Sequence, residues 1–399
     1  MTILTLTKVD VGMLEDVGTS ANDIIQLDSN AKIPAVDGSL LTGTDTALSA
    51  SSDPTISTNP TNGVGTKYRN TTSGEMYICT DATAGANVWK NVGAGSGNIE
   101  AAWYGGRGIW GGGESNASPA TINTIDYVTI GTTGNATDFG DLTEARNGLS
   151  ACGGGGGRGV FLGGSNPTVP AAGPDTKNII DYITVASTGN AIDFGDLTVA
   201  RKYTGSCSNG IRGLLGPGNL LTPHTVYNTI DYVTLSTTGN ATDFGDATVA
   251  RYQTGSCGNA TRGVFAGGGS PSSNVIDYVT IGTAGNATDF GDMLVAKSGP
   301  AGLASDTRGV FAGGGGGGAQ NVIQYITIAS VGNATDFGNL LSAQEGKSGC
   351  SNGVRGVYGG GYPPVYNNIV EYITIASTGN SVDFGDLTAA RTHAGSCSQ

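Results

Sequence analysis

Charge is scarce in this sequence. Asp, Glu, Lys and Arg make up 13% of its 399 residues, and 19 Lys and Arg face 32 Asp and Glu. A net charge of −13 leaves no basic surface for a phosphate backbone, so no nucleic-acid partner is expected. Histidine occurs twice, at His224 and His393, in unrelated contexts. That is too little for a repeated imidazole metal site. No apolar run is long enough to span a bilayer. The opening MTILTLTKVDVGMLEDVG carries Lys8, Asp10, Glu15 and Asp16, and reads as neither signal peptide nor membrane helix. No membrane insertion is expected. The motifs of common enzyme classes are missing too: there is no GxSxG and no HExxH. Gly346-Lys347-Ser348 reads GKS, but Leu341 stands where a P-loop needs its first glycine.

What the chain has in excess is glycine, 69 residues, and a phrase that recurs six times. TIDYVTIGTTGNATDFGDLTEAR (124–146) returns at 179–201, 229–251, 275–297, 322–344 and 369–391. The marker phenylalanines Phe139, Phe194, Phe244, Phe290, Phe337 and Phe384 are 55, 50, 46, 47 and 47 residues apart. A period near this length, made of strand-like segments, predicts a β-propeller with one blade per repeat. Each repeat divides into four strands. An Arg-Gly strand (TRGVFAGGG, 261–269) leads to an alternating tyrosine strand (NVIDYVTI, 274–281). A Gly-Asn turn suited to a hairpin then leads to the ATDFGDL strand. After Ala-Arg comes a small-residue strand such as YQTGSCGN (252–259).

The phase of the repeats is informative. The first starts at Trp103 with no small-residue strand before it, and the last ends on THAGSCSQ (392–399) with no Arg-Gly strand after it. The C-terminal strand is therefore expected to complete the first blade, leaving no free edge at the seam. The predicted fold is all-β. It is a six-bladed propeller over 103–399, with repeats near 103–152, 158–207, 212–257, 262–303, 308–350 and 355–397.

Two N-terminal pieces precede it. Residues 1–50 hold too few apolar side chains for a core and read as an extended arm, held by copies of itself or by a larger assembly. Residues 51–98 read as a small β domain with a GAGSGN linker (93–98). Tyr68, Met76, Ile78, Trp89 and Val92 are its expected apolar face.

The fixed repeat positions read as scaffold. Eleven of the 19 Lys and Arg fall at two of them: Arg107, Arg158, Arg212, Arg262, Arg308 and Arg355, then Arg146, Arg201, Arg251, Lys297 and Arg391. Cys152, Cys207, Cys257, Cys350 and Cys397 are equivalent, with Leu303 or Ala304 at that point in the fourth repeat. A place that accepts Cys or a small apolar residue is a packed one, so buried free thiols are expected. The Asp-Phe-Gly-Asp boxes give acid pairs such as Asp138 and Asp141. They could attract calcium. With Asn339 replacing one acid and a basic residue near each box, ion pairs or turn capping explain them more economically. No metal and no cofactor is expected. The tyrosine-strand acids Asp126, Asp181, Asp231 and Asp277 give way to Gln324 and Glu371, which suggests a solvated strand face.

The repeats resemble the kelch family over about 297 of the 399 residues. The glycine pair of GVFAGG (263–268), the tyrosine of VIDYVTI and the basic residue of the Ala-Arg pair carry the resemblance. Phe replaces the usual tryptophan in NATDFGDL. The resemblance implies fold and says little of function. A copper site of the galactose-oxidase kind would need more histidines. A sialidase would show Asp-box motifs and an arginine cluster outside the repeat pattern.

The segments NDIIQLDSNAKIPAVDGSLLTG and TTSGEMYICTDATAGANVWKNVG resemble stretches of tailed-bacteriophage fibre and appendage proteins. This implies a virion protein, assembled in the host cytoplasm. Its N-terminus would contact virion structural proteins, as a homotrimer, and its C-terminal domain would face outward to a host-surface glycan or protein. A head or neck decoration is the alternative, and a glycan depolymerase ranks third. Recognition is expected in the variable loops between the first and second strands. The candidates there are Asn166, His224, Tyr227, Tyr362 and Tyr366, with Tyr203 and Tyr252 beside them. Aromatic side chains with Asn and Ser suit sugar or protein contacts. No catalytic residue is assigned.

Overall fold

The computed structural model describes residues 47–92, 105–116, 120–154, 157–167, 175–269 and 271–399. The arm up to residue 46, the linker and Trp103 lie outside them. The chain divides into two compact units, 1–99 and 100–399. Every regular element among the described residues is a strand.

The N-terminal unit is one four-stranded sheet of Leu48–Ala50, Lys67–Asn70, Met76–Asp81 and Val88–Asn91. Its first strand pairs parallel to the second and belongs to a segment read above as arm. The buried cluster is Tyr68, Tyr77, Cys79 and Trp89, with Leu48 and Ala82 packed on it. This corrects the expected face. Met76 and Ile78 are only partly buried and Val92 is exposed, because the strand turns Tyr77 and Cys79 inward. A shift of one residue exchanges the two faces of a strand.

The C-terminal unit holds six four-stranded antiparallel sheets with one spatial order: small-residue strand, Arg-Gly strand, tyrosine strand, phenylalanine strand. The third is Ser206–Ser208, Arg212–Leu215, Thr229–Thr234 and Thr242–Asp246. An extra hairpin, Gly218–Leu220 with Thr225–Tyr227, projects from its first loop. The first sheet draws on both ends of the unit: Gly395–Ser398 pairs with Arg107–Gly111, placing Cys397 opposite Ile109.

Each sheet packs on the next through a buried cluster. Phe139, Ile109 and Ile125 of the first meet Phe161, Ile183 and Val185 of the second. The succession continues to the sixth sheet, whose Val357, Val370 and Phe384 meet Trp110, Val128 and Ile130 of the first. Identical backbone bonds accompany it. Gly189 N donates to Phe139 O at 2.8 Å between the first two sheets, and Gly134 N donates to Phe384 O at 2.8 Å between the sixth and the first.

The phenylalanine strand needs its glycine for this contact. Gly140 has φ +145°, and a methyl group there would lie 2.5 Å from Gly189 O. Gly385 repeats the geometry against Gly134 O. In every sheet the pairing of tyrosine and phenylalanine strands slips by one residue at this point, as between Ile125 and Asp126. The bulge leaves consecutive residues Ile125 and Asp126 both buried.

That corrects the reading of the tyrosine-strand acids. They are not solvated: Asp126, Asp181, Asp231 and Asp277 are 0% exposed, because neighbouring sheets cover both faces. Each meets the basic residue that follows the preceding phenylalanine strand. Arg146 Nη2 donates to Asp181 at 2.6 Å, Arg251 Nη2 pairs with Asp277 at 2.9 Å, and Arg391 Nη2 pairs with Asp126 at 2.9 Å. A threonine hydroxyl completes each carboxylate, as Thr143 does for Asp181 at 2.6 Å. The basic residues thus pair with these acids and not with the Asp-Phe-Gly-Asp boxes, whose first acids are exposed.

Two junctions differ. Glu371 pairs with Lys347 at 2.9 Å, since Gln344 holds the usual arginine place. Gln324 accepts from Leu294 N at 2.8 Å, and the Nζ of Lys297, which holds the arginine place of this repeat, is buried without a hydrogen-bond partner. Burial pulls Lys297 down to about 8. The other basic set stacks on the tyrosines. Arg107 lies 4.8 Å from the Tyr127 ring centre and Arg355 4.4 Å from that of Tyr372.

The repeat cysteines are buried and unpaired. Each thiol packs where the Arg-Gly strand of a neighbouring sheet has only a hydrogen. A methyl on Gly213 would sit 2.6 Å from Cys152 Sγ, and one on Gly356 would meet Leu303, the residue that replaces cysteine in the fourth repeat. Burial pushes the Cys152 thiol up to about 12.

Candidate binding site

The residue two places after Arg146 and its counterparts, Gln344 among them, opens the turn into the small-residue strand. Its backbone is left-handed in all six repeats: Gly148 (φ 65°), Tyr203 (54°), Gln253 (55°), Gly299 (61°), Gly346 (65°) and His393 (54°). Glycine adopts this region freely. For Tyr, Gln and His it costs about 1–2 kcal/mol each. They are the only non-glycine residues with positive φ among the described residues.

Hydrogen bonds tie these six positions together. Tyr203 N donates to Gly148 O, Gln253 N to Tyr203 O, Gly299 N to Gln253 O, His393 N to Gly346 O and Gly148 N to His393 O, at 2.5–2.9 Å. They rim a cavity that continues past Thr204, Thr254 and Ser348. Cavity space also runs between the small-residue strands of all six sheets. A methyl on Gly153 would there be 2.2 Å from Ser398 O. The serine hydroxyls in this throat are occupied by neighbouring carbonyls, as Ser256 Oγ is by Ser206 O at 2.7 Å.

Aromatic side chains gather at the rim. The Tyr203 ring centre is 5.0 Å from that of His393 and 6.4 Å from that of Tyr252. His224, on the extra hairpin, is 6.1 Å from Tyr252. Lys202 Nζ lies 4.3 Å from the Tyr203 ring centre. Burial, reinforced by Lys202, pushes His393 down to about 4. Its Nδ1 is 3.4 Å from Thr392 Oγ1, and no carboxylate bonds its ring among the described residues. Burial also raises Tyr203, to about 12.

The structure therefore joins three sequence candidates, Tyr203, His224 and Tyr252, into one cluster. Tyr362 and Tyr366 form a separate pair with ring centres 5.4 Å apart, and Tyr366 bonds Glu114. Tyr227 lies in the hairpin and faces the Arg201 neighbourhood. Asn166 is 6% exposed, with its N–H donated to Asp175 O, so it offers little to a ligand. His393 and Gln253 were missed. The signal was present in their alignment with Gly148, Gly299 and Gly346.

Among the described residues no three His, Cys, Asp or Glu side chains gather as a metal site. What the rim offers is aromatic faces beside amide and hydroxyl groups, a chemistry of stacking and hydrogen bonding. No protein-family model matches the chain, and no curated protein matches it significantly.

Proposed function

We propose that the chain is a bacteriophage fibre or appendage protein of the virion. Its C-terminal unit is a closed six-bladed propeller that binds a host-surface glycan or protein. The succession of sheet contacts returning to its start, with Gly395–Ser398 completing the first sheet, supports closure. The observation that carries recognition is the placement of Tyr203, Gln253 and His393 at strained positions where glycine serves in the other repeats. Strain of this kind collects at functional sites. The phage-like segments 18–43 and 65–93 support attachment to virion structural proteins through the N-terminus, as a homotrimer.

The test uses labelled full-length protein on cells of the host of the encoding virus. Saturable binding that blocks virion adsorption is expected. Absence of both would overturn receptor binding, and density on the head in a virion reconstruction would favour decoration. Shortening of host polysaccharide by the protein would establish a depolymerase instead. Light scattering should give three times the 39.8 kDa chain mass, and a monomer would remove the trimer.

A further inference from the structure

The rim residues indicate what kind of ligand fits. Gly148, Gly299 and Gly346 show that the turn itself asks only for a left-handed backbone. Tyr203, Gln253 and His393 serve another purpose, and they make one side of the rim into a wall. Tyr203 and His393 give ring surface, and Gln253 adds an amide. The opposite side is open: a methyl on Gly299 would find only Gly346 N, at 3.9 Å. Inside the rim, Thr254 is 6% exposed and its Oγ1 has no partner, while the neighbouring Thr204 hydroxyl is already bonded to Ser150 at 3.0 Å. Thr254 also lines the cavity, so a rotation of this unpartnered hydroxyl would turn it to a ligand.

Charge narrows the choice. Lys347, in the cavity wall, is held by Glu371 at 2.9 Å, and Lys202 sits over the Tyr203 ring. Among the described residues no Asp or Glu lines the cavity. Glu114 acts on both Lys202 and Tyr203, so a phosphate or carboxylate would meet a cation already offset, and an ammonium would find no acid in the cavity lining itself. Stacked nucleobases would bring phosphates that need a basic groove. A pyranose ring fits: its C–H face stacks on an aromatic ring, and its hydroxyls take amide and hydroxyl partners.

We propose that this cup binds the terminal ring of a neutral glycan, end-on, between the Tyr203–His393 wall and the Thr254 hydroxyl. The cell-surface origin of that glycan rests on the receptor-binding reading above; the chemistry of the cup does not.

Full-length protein is tested on an array of neutral, uronic-acid and sialic-acid terminated oligosaccharides, and on host cells. Tyr203→Gly and His393→Gly serve as variants, because glycine already occupies the equivalent places and relieves the strained angle. Neutral termini should be retained, with affinity unchanged from about 50 to about 500 mM salt. Each variant should lose about tenfold or more in affinity, as an aromatic anchor would, with an unchanged or raised Tm. Equal binding by the variants, preference for charged termini, or no array binding would overturn the cup. If cells are bound equally by wild type and variants, the cup fails and receptor binding stands. If array binding depends on Tyr203 but cells are not bound, receptor binding fails and the cup stands.

Discussion

Arg391 Nη2 lies 2.9 Å from Asp126 Oδ2, although 265 residues separate them. Arg391 also donates to Thr124 O at 3.0 Å, and the Thr388 hydroxyl donates to Asp126 at 2.7 Å. The same triad joins Arg146 and Thr143 to Asp181, between consecutive sheets. The bond between the last and first sheets of the C-terminal unit is thus the ordinary bond between neighbours. Asp126→Asn should cost about 3–5 kcal/mol in denaturant unfolding, because it leaves a buried guanidinium unpaired. Asp181→Asn should cost about the same. A loss below about 1 kcal/mol for Asp126→Asn alone would mean that the terminal junction is open in solution.

Lys297 and Gln324 form the junction that lacks an acid. Gln324→Glu should supply it, since Glu371 already pairs with a buried lysine at the next junction. The gain at pH 7 should be about 1–2 kcal/mol. The pH dependence has a definite sign. Lys297 is depressed to about 8 in the fold, against about 10.4 when unfolded. Between these values the unfolded chain binds more protons, so wild-type stability gains from rising pH in this window. The penalty is complete below pH 8 and absent above about 10.4. Gln324→Glu should abolish this gain, and identical pH profiles of the two proteins would refute the assignment.

The repeat, its four strands and the phase of the last strand were all legible, because they follow from period and local turn chemistry. The face of Asp126 was not. Alternation in a strand implies one wet face, but here each sheet is covered on both sides and bulged at Ile125–Asp126. Met76 and Ile78 misled for a simpler reason. The buried set on their strand is Tyr77 and Cys79, and alternation gives no preference between the two sets when tyrosine can pack either way. His393 was passed over because two unlike histidines suggest no site. Its place beside Tyr203 depends on a backbone angle that only the glycines of other repeats reveal.

Gly385 should not tolerate a side chain. It combines φ +145° with a methyl position 2.5 Å from Gly134 O, which is backbone and cannot move aside. Gly385→Ala should cost about 2–4 kcal/mol from strain and the separated sheets. Gly282→Ala is the control, since nothing lies within 4 Å of its methyl position and its φ is unrestricted. Similar melting temperatures for the two variants would show that the contact between the sixth and first sheets is not tight.

The five repeat thiols should be chemically silent until the fold opens. Each is buried at the contact between neighbouring sheets, and burial drives the pKa up, to about 12 for Cys152 and well above normal for Cys207 and Cys397. The thiolate is the reactive form, so at pH 8 very little of it is present. Leu303 at the fourth position shows that the place needs volume and not sulfur chemistry. A chromogenic disulfide reagent should therefore titrate none of the six cysteines of the native protein within minutes, Cys79 included, and all six in denaturant. The slow reaction of the five repeat thiols in native samples should follow unfolding of the C-terminal unit, all five together, because every repeat position shares its packing with the next sheet, while Cys79 follows its own unit. One thiol reacting ahead of the others would locate a junction that opens by itself. Cys397 at the terminal seam is the position where such an opening would be seen first.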